Sequence, residues 1–398
     1  MRWLICARIL LLTVSLIPLS AVSAQLSGEC GSRYFWVVRD NLSDPETIDQ
    51  MVERAAEAGA NGLIVQVVGR AEAYYRSAIL PPADFQEGFD PLAYLISVAR
   101  PNGMEVHAWV NAFLVWSSPW APEDSAHVWL ACPDWFMGDA SGRSTRDYSR
   151  EECESAGLVG ATLSPAVPEV REFLASIAVE IARGYDVDGI HLDYIRYPNP
   201  SFGFEQAALG AFYLETGLDA LDIFRRYSGM ESLSEQWGAW RRRQVTLTVL
   251  TVRSALRGAA PGVLLSAAVM ADPSEAPVQY FQDWREWIHE GLVDFVCTMA
   301  YTSNRARALE LAQLGTSEDP DKVIHGIGVY NQPISAALPA AREAIDLGAA
   351  GICVFSLGTL APESTWVIRN FWRETGRPER GMDASVFHRV STSGAAGL

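Results

Sequence analysis

The feature that most constrains this chain is a regular alternation of short apolar runs with longer amphipathic ones. Eight runs read as strands: Tyr34–Arg39, Gly62–Val68, Glu105–Asn111, Gly189–Tyr194, Leu264–Met270, Asp294–Tyr301, Val323–Val329 and Gly351–Ser356. Between most of them apolar residues recur at three- and four-residue spacing. This predicts helices over Pro45–Ala58, Pro91–Ala99, Val167–Gly184, Trp237–Leu256, Val278–Glu290 and Ile334–Gly348. Gly59, Gly103, Gly291 and Gly348 stand where several of these would end, which suits a C-terminal cap. Strand–helix units without a repeat or a linker predict an α/β fold, one (β/α)8 TIM barrel with long loops on its C-terminal face. A doubly wound open sheet is the alternative, but no Gly-rich nucleotide loop follows the first strand.

The ends of the chain read differently. Met1–Arg8 is basic, an apolar stretch follows, and small residues precede Gln25, so residues 1–24 are expected to be a secretory signal peptide. That stretch is short for a membrane span. The mature protein is therefore expected to be secreted or periplasmic, with the barrel over 25–378 and a disordered polar tail over 379–398. A formal net charge of −17 argues against nucleic acid or an anionic membrane as the main partner. Beyond Cys6 there remain Cys30, Cys132, Cys153, Cys297 and Cys353. Cys132 and Cys153 share one polar insertion and form the best candidate disulfide in an oxidising compartment. Cys297 and Cys353 fall inside strands as small buried hydrophobes. No Cys-x-x-Cys occurs, which argues against structural zinc, and no cofactor is expected.

Polar residues gather at strand ends. Gln66 closes the second strand and is followed by Arg70 and Glu72. His107, Trp109 and Asn111 share one face of the third. The fourth carries His191 and Asp193 on one face, with Tyr194, Arg196 and Tyr197 just beyond. Asp188, at the start of that strand, reads as structural. Tyr301 ends the sixth strand, Tyr330 and Asn331 follow the seventh, and Arg39-Asp40-Asn41 ends the first. In a barrel all these ends meet on one face, where active sites are built. The long loops 69–90, 112–165 and 195–236 add Tyr74, Tyr75, Trp116, Trp120, Trp129, Trp135, Phe136, Phe202 and Phe204. Rings in such loops either stack on sugars or pack the loops down.

The segments Gly69–Ser77, Val106–Asn111, Asp188–Pro198, Gln282-Asp283-Trp284 and Gly291–Val296 together resemble the family 10 glycosylhydrolase-like proteins. The resemblance implies a barrel that hydrolyses glycosidic bonds, with some members acting on bacterial cell-wall glycan stripped of peptides. Two departures stand out: Asp193 is followed by Tyr194 where many relatives carry a second acid, and Glu72 stands where Asp is usual. Glycoside hydrolysis usually needs two carboxyl groups. Asp193 is the first candidate and Glu72 the second, with Asp272 next. Gln66, Arg70, His107, Trp109, Asn111, His191, Tyr194, Arg196, Tyr197 and Tyr301 are candidate substrate contacts, and His191 could orient Asp193. An N-acetyl group on the substrate could replace one carboxyl group as nucleophile. The expected partner is a polysaccharide. Two other classes stay open: a sugar-binding barrel without catalysis, and a metal-dependent hydrolase using His107, His191 and Asp193.

Overall fold

The computed structural model describes residues 31–86, 88–317 and 319–375. The signal-peptide and tail expectations, and Cys30, lie outside the described residues. Ten strands run β1 Ser32–Val37, β2 Gly62–Val68, β3 Glu105–Asn111, β4 Leu114–Trp116, β5 Ala161–Thr162, β6 Gly189–Asp193, β7 Leu264–Met270, β8 Phe295–Ala300, β9 Val323–Gly328 and β10 Gly351–Phe355. Eight of them close into a barrel in the order β1-β10-β9-β8-β7-β6-β3-β2. Every neighbouring pair in that ring is parallel. This is the expected (β/α)8 barrel, and β6 is its fourth strand. β4 and β5 form an antiparallel pair in the long excursion between β3 and β6.

The helix Pro45–Ala58 shows how local chemistry sets an element. The Asp44 side chain accepts the Thr47 N–H, Pro45 occupies the first turn, and Gly59 leaves the helix at φ 81°. Ile48, Met51, Val52, Ala55 and Ala58 form its buried stripe. The helices Gln206–Thr216, Ala220–Arg226, Arg305–Gly315 and Ser364–Thr375 were not among those expected. Gln206–Thr216 buries only Ala208 and Phe212, too sparse a stripe to read by periodicity. The expected helix Val278–Glu290 is two pieces, Ala276–Gln279 and Trp284–His289. Gln282, fully buried between them, accepts the Met270 N–H at 2.8 Å and donates to the Ile195 and Ala268 carbonyls. A side chain committed to three backbone groups on two strand ends is incompatible with a continuing helix. No described helix is long and apolar enough to cross a membrane.

The barrel interior is layered. At its N-terminal end Tyr34, His107 and Phe295 pack ring against ring, with centroids 5.3–6.3 Å apart. Gly189 makes room there, since a Cβ on it would lie 2.3 Å from His107 Nδ1. Asp188 accepts the Val106 N–H at 2.6 Å and pairs with Arg100 at 2.9 Å, locking β3 to β6 as a structural residue. Above them Trp36, Ile64, His191, Cys297, Ile324 and Cys353 fill the interior, all buried. The candidate pair Cys132 and Cys153 is not bridged; both are free thiols. Each is held by its own short helix, Cys132 capping Val128–Ala131 and Cys153 packed into the core from Arg150–Ser155.

Candidate active site at the barrel mouth

A cavity of about 430 Å³ opens at the C-terminal ends of the strands. Asp193, the last residue of β6, lies in its wall with Gln66, Trp109, Asn111, Tyr194, Arg196 and Tyr301. Seven of the expected site residues therefore converge. Asp193 Oδ1 accepts the Tyr194 N–H at 2.6 Å and pairs with Arg196 at 3.1 Å. Both contacts use one oxygen, leaving Oδ2 without a protein partner among the described residues. Tyr194 adopts φ 51°, a left-handed conformation that costs a side-chain-bearing residue about 1–2 kcal/mol. That turn brings its own N–H onto the carboxylate and its ring under the Arg196 guanidinium at 4.5 Å. Strain of this kind is typical of functional sites.

The adjoining wall, on β3 and β2, is a polar chain. Gln66 Oε1 accepts from the Arg39 backbone N–H at 3.3 Å, and Gln66 Nε2 donates to Asn111 Oδ1 at 3.2 Å. Trp109 Nε1 donates to the same Asn111 oxygen at 2.9 Å, and Asn111 Nδ2 donates to the Gly69 carbonyl. Every strongly polar side-chain atom in this chain has a fixed orientation, as buried polar groups require. Tyr301 stacks on Phe355 at 5.1 Å and meets Trp36 and Tyr330 edge-on, so one side of the cavity is aromatic.

Several expected residues stand elsewhere. His107 is in the N-terminal layer beside Glu105, at the far end of the barrel from the mouth, because it sits four residues earlier on β3 than Asn111. His191 faces inward but stands two residues before Asp193 on β6, deeper in the barrel. It bonds to Ser266 Oγ at 2.9 Å and receives the Trp36 indole N–H at 3.4 Å, so Arg196 orients Asp193 instead. Burial pushes the His191 pKa down to about 3, and the ring is neutral. His107, His191 and Asp193 thus do not converge as a metal-ligand trio. Among the described residues no three His, Cys, Asp or Glu are placed to hold an ion. Tyr197 is fully buried, packed against Phe281 beneath the loop.

Neither candidate partner of Asp193 is in the cavity wall. Glu72 is half-buried on the loop after β2 and does not line the cavity. Burial raises its carboxyl pKa against the opposing pull of Arg70 and Arg39. Asp272 is buried, which alone would raise its pKa, but hydrogen bonds from Ser274 and Arg307 hold it down at about 2. Its Oδ2 pairs with Arg307 at 2.6 Å, a structural clamp. Arg70 lines a second cavity, of about 550 Å³, which shares Ser117 and Val159 with the mouth.

Trp36, Met299 and Phe355 line the mouth but have no distinguishing sequence signal, since inward-facing apolar residues on strands read as core. Arg39 and Tyr330, also in the wall, do stand at strand ends where a polar residue is informative. Of the loop aromatics, Tyr75, Phe136, Phe202 and Phe204 pack the loops, whereas Trp120 is 79% exposed.

Comparison with known proteins places the chain. It is 25% identical over 322 residues to glycosyl hydrolase YngK of Bacillus subtilis (strain 168), covering 73% of this chain and 56% of that protein. It is 24% identical over 315 residues to glycosyl hydrolase DigH of Escherichia coli (strain K12), covering 68% and 63%. The chain thus spans about three-fifths of the length of these relatives. The fold is similar to the PgaB (BpsB) glycoside hydrolase domain of Bordetella bronchiseptica, with a TM-score of 0.67 at 16% identity, covering 86% of this chain and 98% of that one. It is also similar to the β-amylase catalytic domain of Paenibacillus polymyxa, with a TM-score of 0.58 at 13% identity, covering 88% and 100%. Residues 32–337 match the family described as Glycosyl hydrolase-like 10, and the chain belongs to that family.

Proposed function

We propose that this protein is an exported glycoside hydrolase acting on an N-acetylated polysaccharide, peptide-free cell-wall glycan being the fitting source, with Asp193 as its catalytic carboxyl group. The observation that carries the reading is that Asp193 is the one carboxylate among the described residues in the wall of the mouth cavity. Hydrolysis by two carboxyl groups needs them about 5–5.5 Å or about 6.5–9.5 Å apart across the sugar. Where the wall offers one, a 2-acetamido group of the substrate supplies the nucleophile.

In this mechanism the acetamido oxygen attacks C1 as the glycosidic C–O bond breaks, and Asp193 Oδ2 gives its proton to the leaving oxygen. A water then adds to C1, transferring a proton back to Asp193 as the acetamido ring reopens, so configuration is retained. Arg196 and the Tyr194 N–H fix Oδ1 throughout, and Gln66, Asn111 and the aromatic wall position the sugar. General acid–base catalysis of this kind contributes about 10²–10⁴-fold. Export rests on the basic start, apolar stretch and small residues before Gln25.

A sugar-binding barrel without catalysis is the second reading, favoured by the same solitary carboxylate. Reducing-end release from peptide-free wall glycan, compared with the same strands after N-deacetylation, separates them. The proposal expects release from the acetylated strands and little from the deacetylated ones. Equal release from both removes the acetamido step, and no release from either leaves the binding reading.

A further inference from the structure

Beside the mouth, the cavity of about 550 Å³ runs between Arg70, Trp116, Trp120, Trp129, Arg146 and the loop carrying Tyr148. Its wall carries Arg70, Arg146 and Arg150 against one acid, Glu154. The chain carries 48 Asp and Glu against 31 Lys and Arg, yet the Arg70 and Arg146 guanidinium groups form no ion pair among the described residues. Arg150, also in the wall, pairs with Glu154 at 3.4 Å. Arg70 Nε donates to Ser117 Oγ at 3.3 Å, and the guanidinium lies 5.8 Å from the Trp116 ring centroid. Arg146 sits 4.2 Å over Trp129, and its Nε is buried without a hydrogen-bond partner. Glu72 is near enough to Arg70 for the cation to pull its pKa down, but does not pair with it.

The cavity is also built rigidly. His127 is fully buried and its Nδ1 accepts the Trp129 N–H at 3.0 Å, which leaves the proton on Nε2. Nε2 donates to the Arg70 carbonyl at 2.7 Å, so one imidazole ties the two walls together. Trp116 stacks edge-on against His127 at 4.9 Å and donates its indole N–H to the Trp120 carbonyl at 2.6 Å. That bond presents Trp120 at the rim, 79% exposed. An exposed indole beside two unpaired, partly desolvated guanidinium groups suits a sugar ring bearing a carboxylate, because guanidinium matches carboxylate geometry.

We propose that this cleft is a subsite for an acidic sugar, whose carboxylate meets Arg70 and Arg146 and whose ring stacks on Trp120. Ser117 and Val159 belong to both cavities, so a glycan held here continues directly to Asp193. The inference deepens the proposed hydrolase reading and rests on it for the glycan. The carboxylate could belong to an ether-linked lactyl group or to a uronic acid.

The test measures binding in full-length Asp193→Asn protein by calorimetry, which keeps it separate from hydrolysis. The probes are a peptide-free wall-glycan oligosaccharide with its lactyl carboxylates and an oligogalacturonate, each beside its carboxyl-reduced neutral counterpart. At least one acidic probe should bind about tenfold more tightly than its neutral form, the equivalent of about 1.4 kcal/mol. The acidic probe that shows the preference identifies the source. Adding Arg70→Gln and Arg146→Gln should abolish it, Arg70→Gln alone should reduce it, and Trp120→Ala should weaken acidic and neutral probes alike. Equal binding of acidic and neutral probes, or a preference that survives both arginine changes, overturns the proposal. Failure of the wild-type protein to hydrolyse any glycan would instead count against the hydrolase reading.

Discussion

The buried His191 makes a quantitative prediction about acid stability. Its imidazole is fully buried, receives the Trp36 indole N–H and bonds to Ser266 Oγ, and burial lowers its pKa from 6.5 to about 3. Below pH 6.5 the unfolded chain binds a proton that the folded chain refuses, so this group removes stability as pH falls from 6.5 towards about 3. At pH 5 the loss from His191 is about 2 kcal/mol relative to neutral pH. His325, buried with a pKa pushed down to about 4, acts in the same direction in any variant that retains it. The informative comparison is therefore between wild type and His191→Gln, whose amide can keep the acceptor for Trp36 and the donor to Ser266. Urea unfolding followed by tryptophan fluorescence and by far-ultraviolet circular dichroism, at neutral pH and at pH 5, reads both. The variant starts less stable, but the gap to wild type should narrow by about 2 kcal/mol on acidification. Parallel pH dependences in the two proteins would refute the claim that His191 is held neutral inside the barrel.

Other outcomes follow from particular contacts. Gly326→Ala would put a Cβ 2.1 Å from the Thr298 carbonyl oxygen and 2.8 Å from the Trp36 ring, so it should destabilise the barrel by about 3 kcal/mol in the same unfolding assay. Gly210→Ala, in a helix with open space around it, should be neutral or stabilising by about 0.5–1 kcal/mol. Arg196→Met removes the cation that fixes Asp193 Oδ1 and should lower kcat by about 10²-fold with a smaller change in KM, measured as reducing-end release. Mass spectrometry of the protein exported from a bacterial host should find Gln25 as the first residue; retention of the apolar stretch would refute cleavage.

Much of the barrel is legible because strands and helices alternate with distinct periods and because Gly59 and similar residues end helices. Boundaries drift where side chains override periodicity. β6 ends at Asp193 because Tyr194 turns left-handed to cap the carboxylate, and the helix expected over Val278–Glu290 breaks at Gln282, whose side chain serves two strand ends. At the site, alternation along β6 correctly puts His191 and Asp193 on one inward face. It does not say that they occupy different layers, or that His191 spends both ring nitrogens on Trp36 and Ser266. His107 fails for the same reason: inward is not the same as near the mouth. Trp36 and Phe355 are the converse, reading as core and forming cavity wall. The side cleft escapes sequence reading because its parts, Arg70, Trp120 and Arg146, meet only through the loop that His127 holds in place.

The most direct test of the central claim is the rate of reducing-end release from N-acetylated, peptide-free wall glycan by wild type, Asp193→Asn and Glu72→Gln. With Asp193 as the catalytic carboxyl group, Asp193→Asn should lose about 10²–10⁴-fold in kcat. Glu72→Gln, altered outside the cavity wall, should stay within about tenfold of wild type, less than loss of a general acid would cost. An Asp193→Asn variant that keeps full hydrolytic activity would contradict the account.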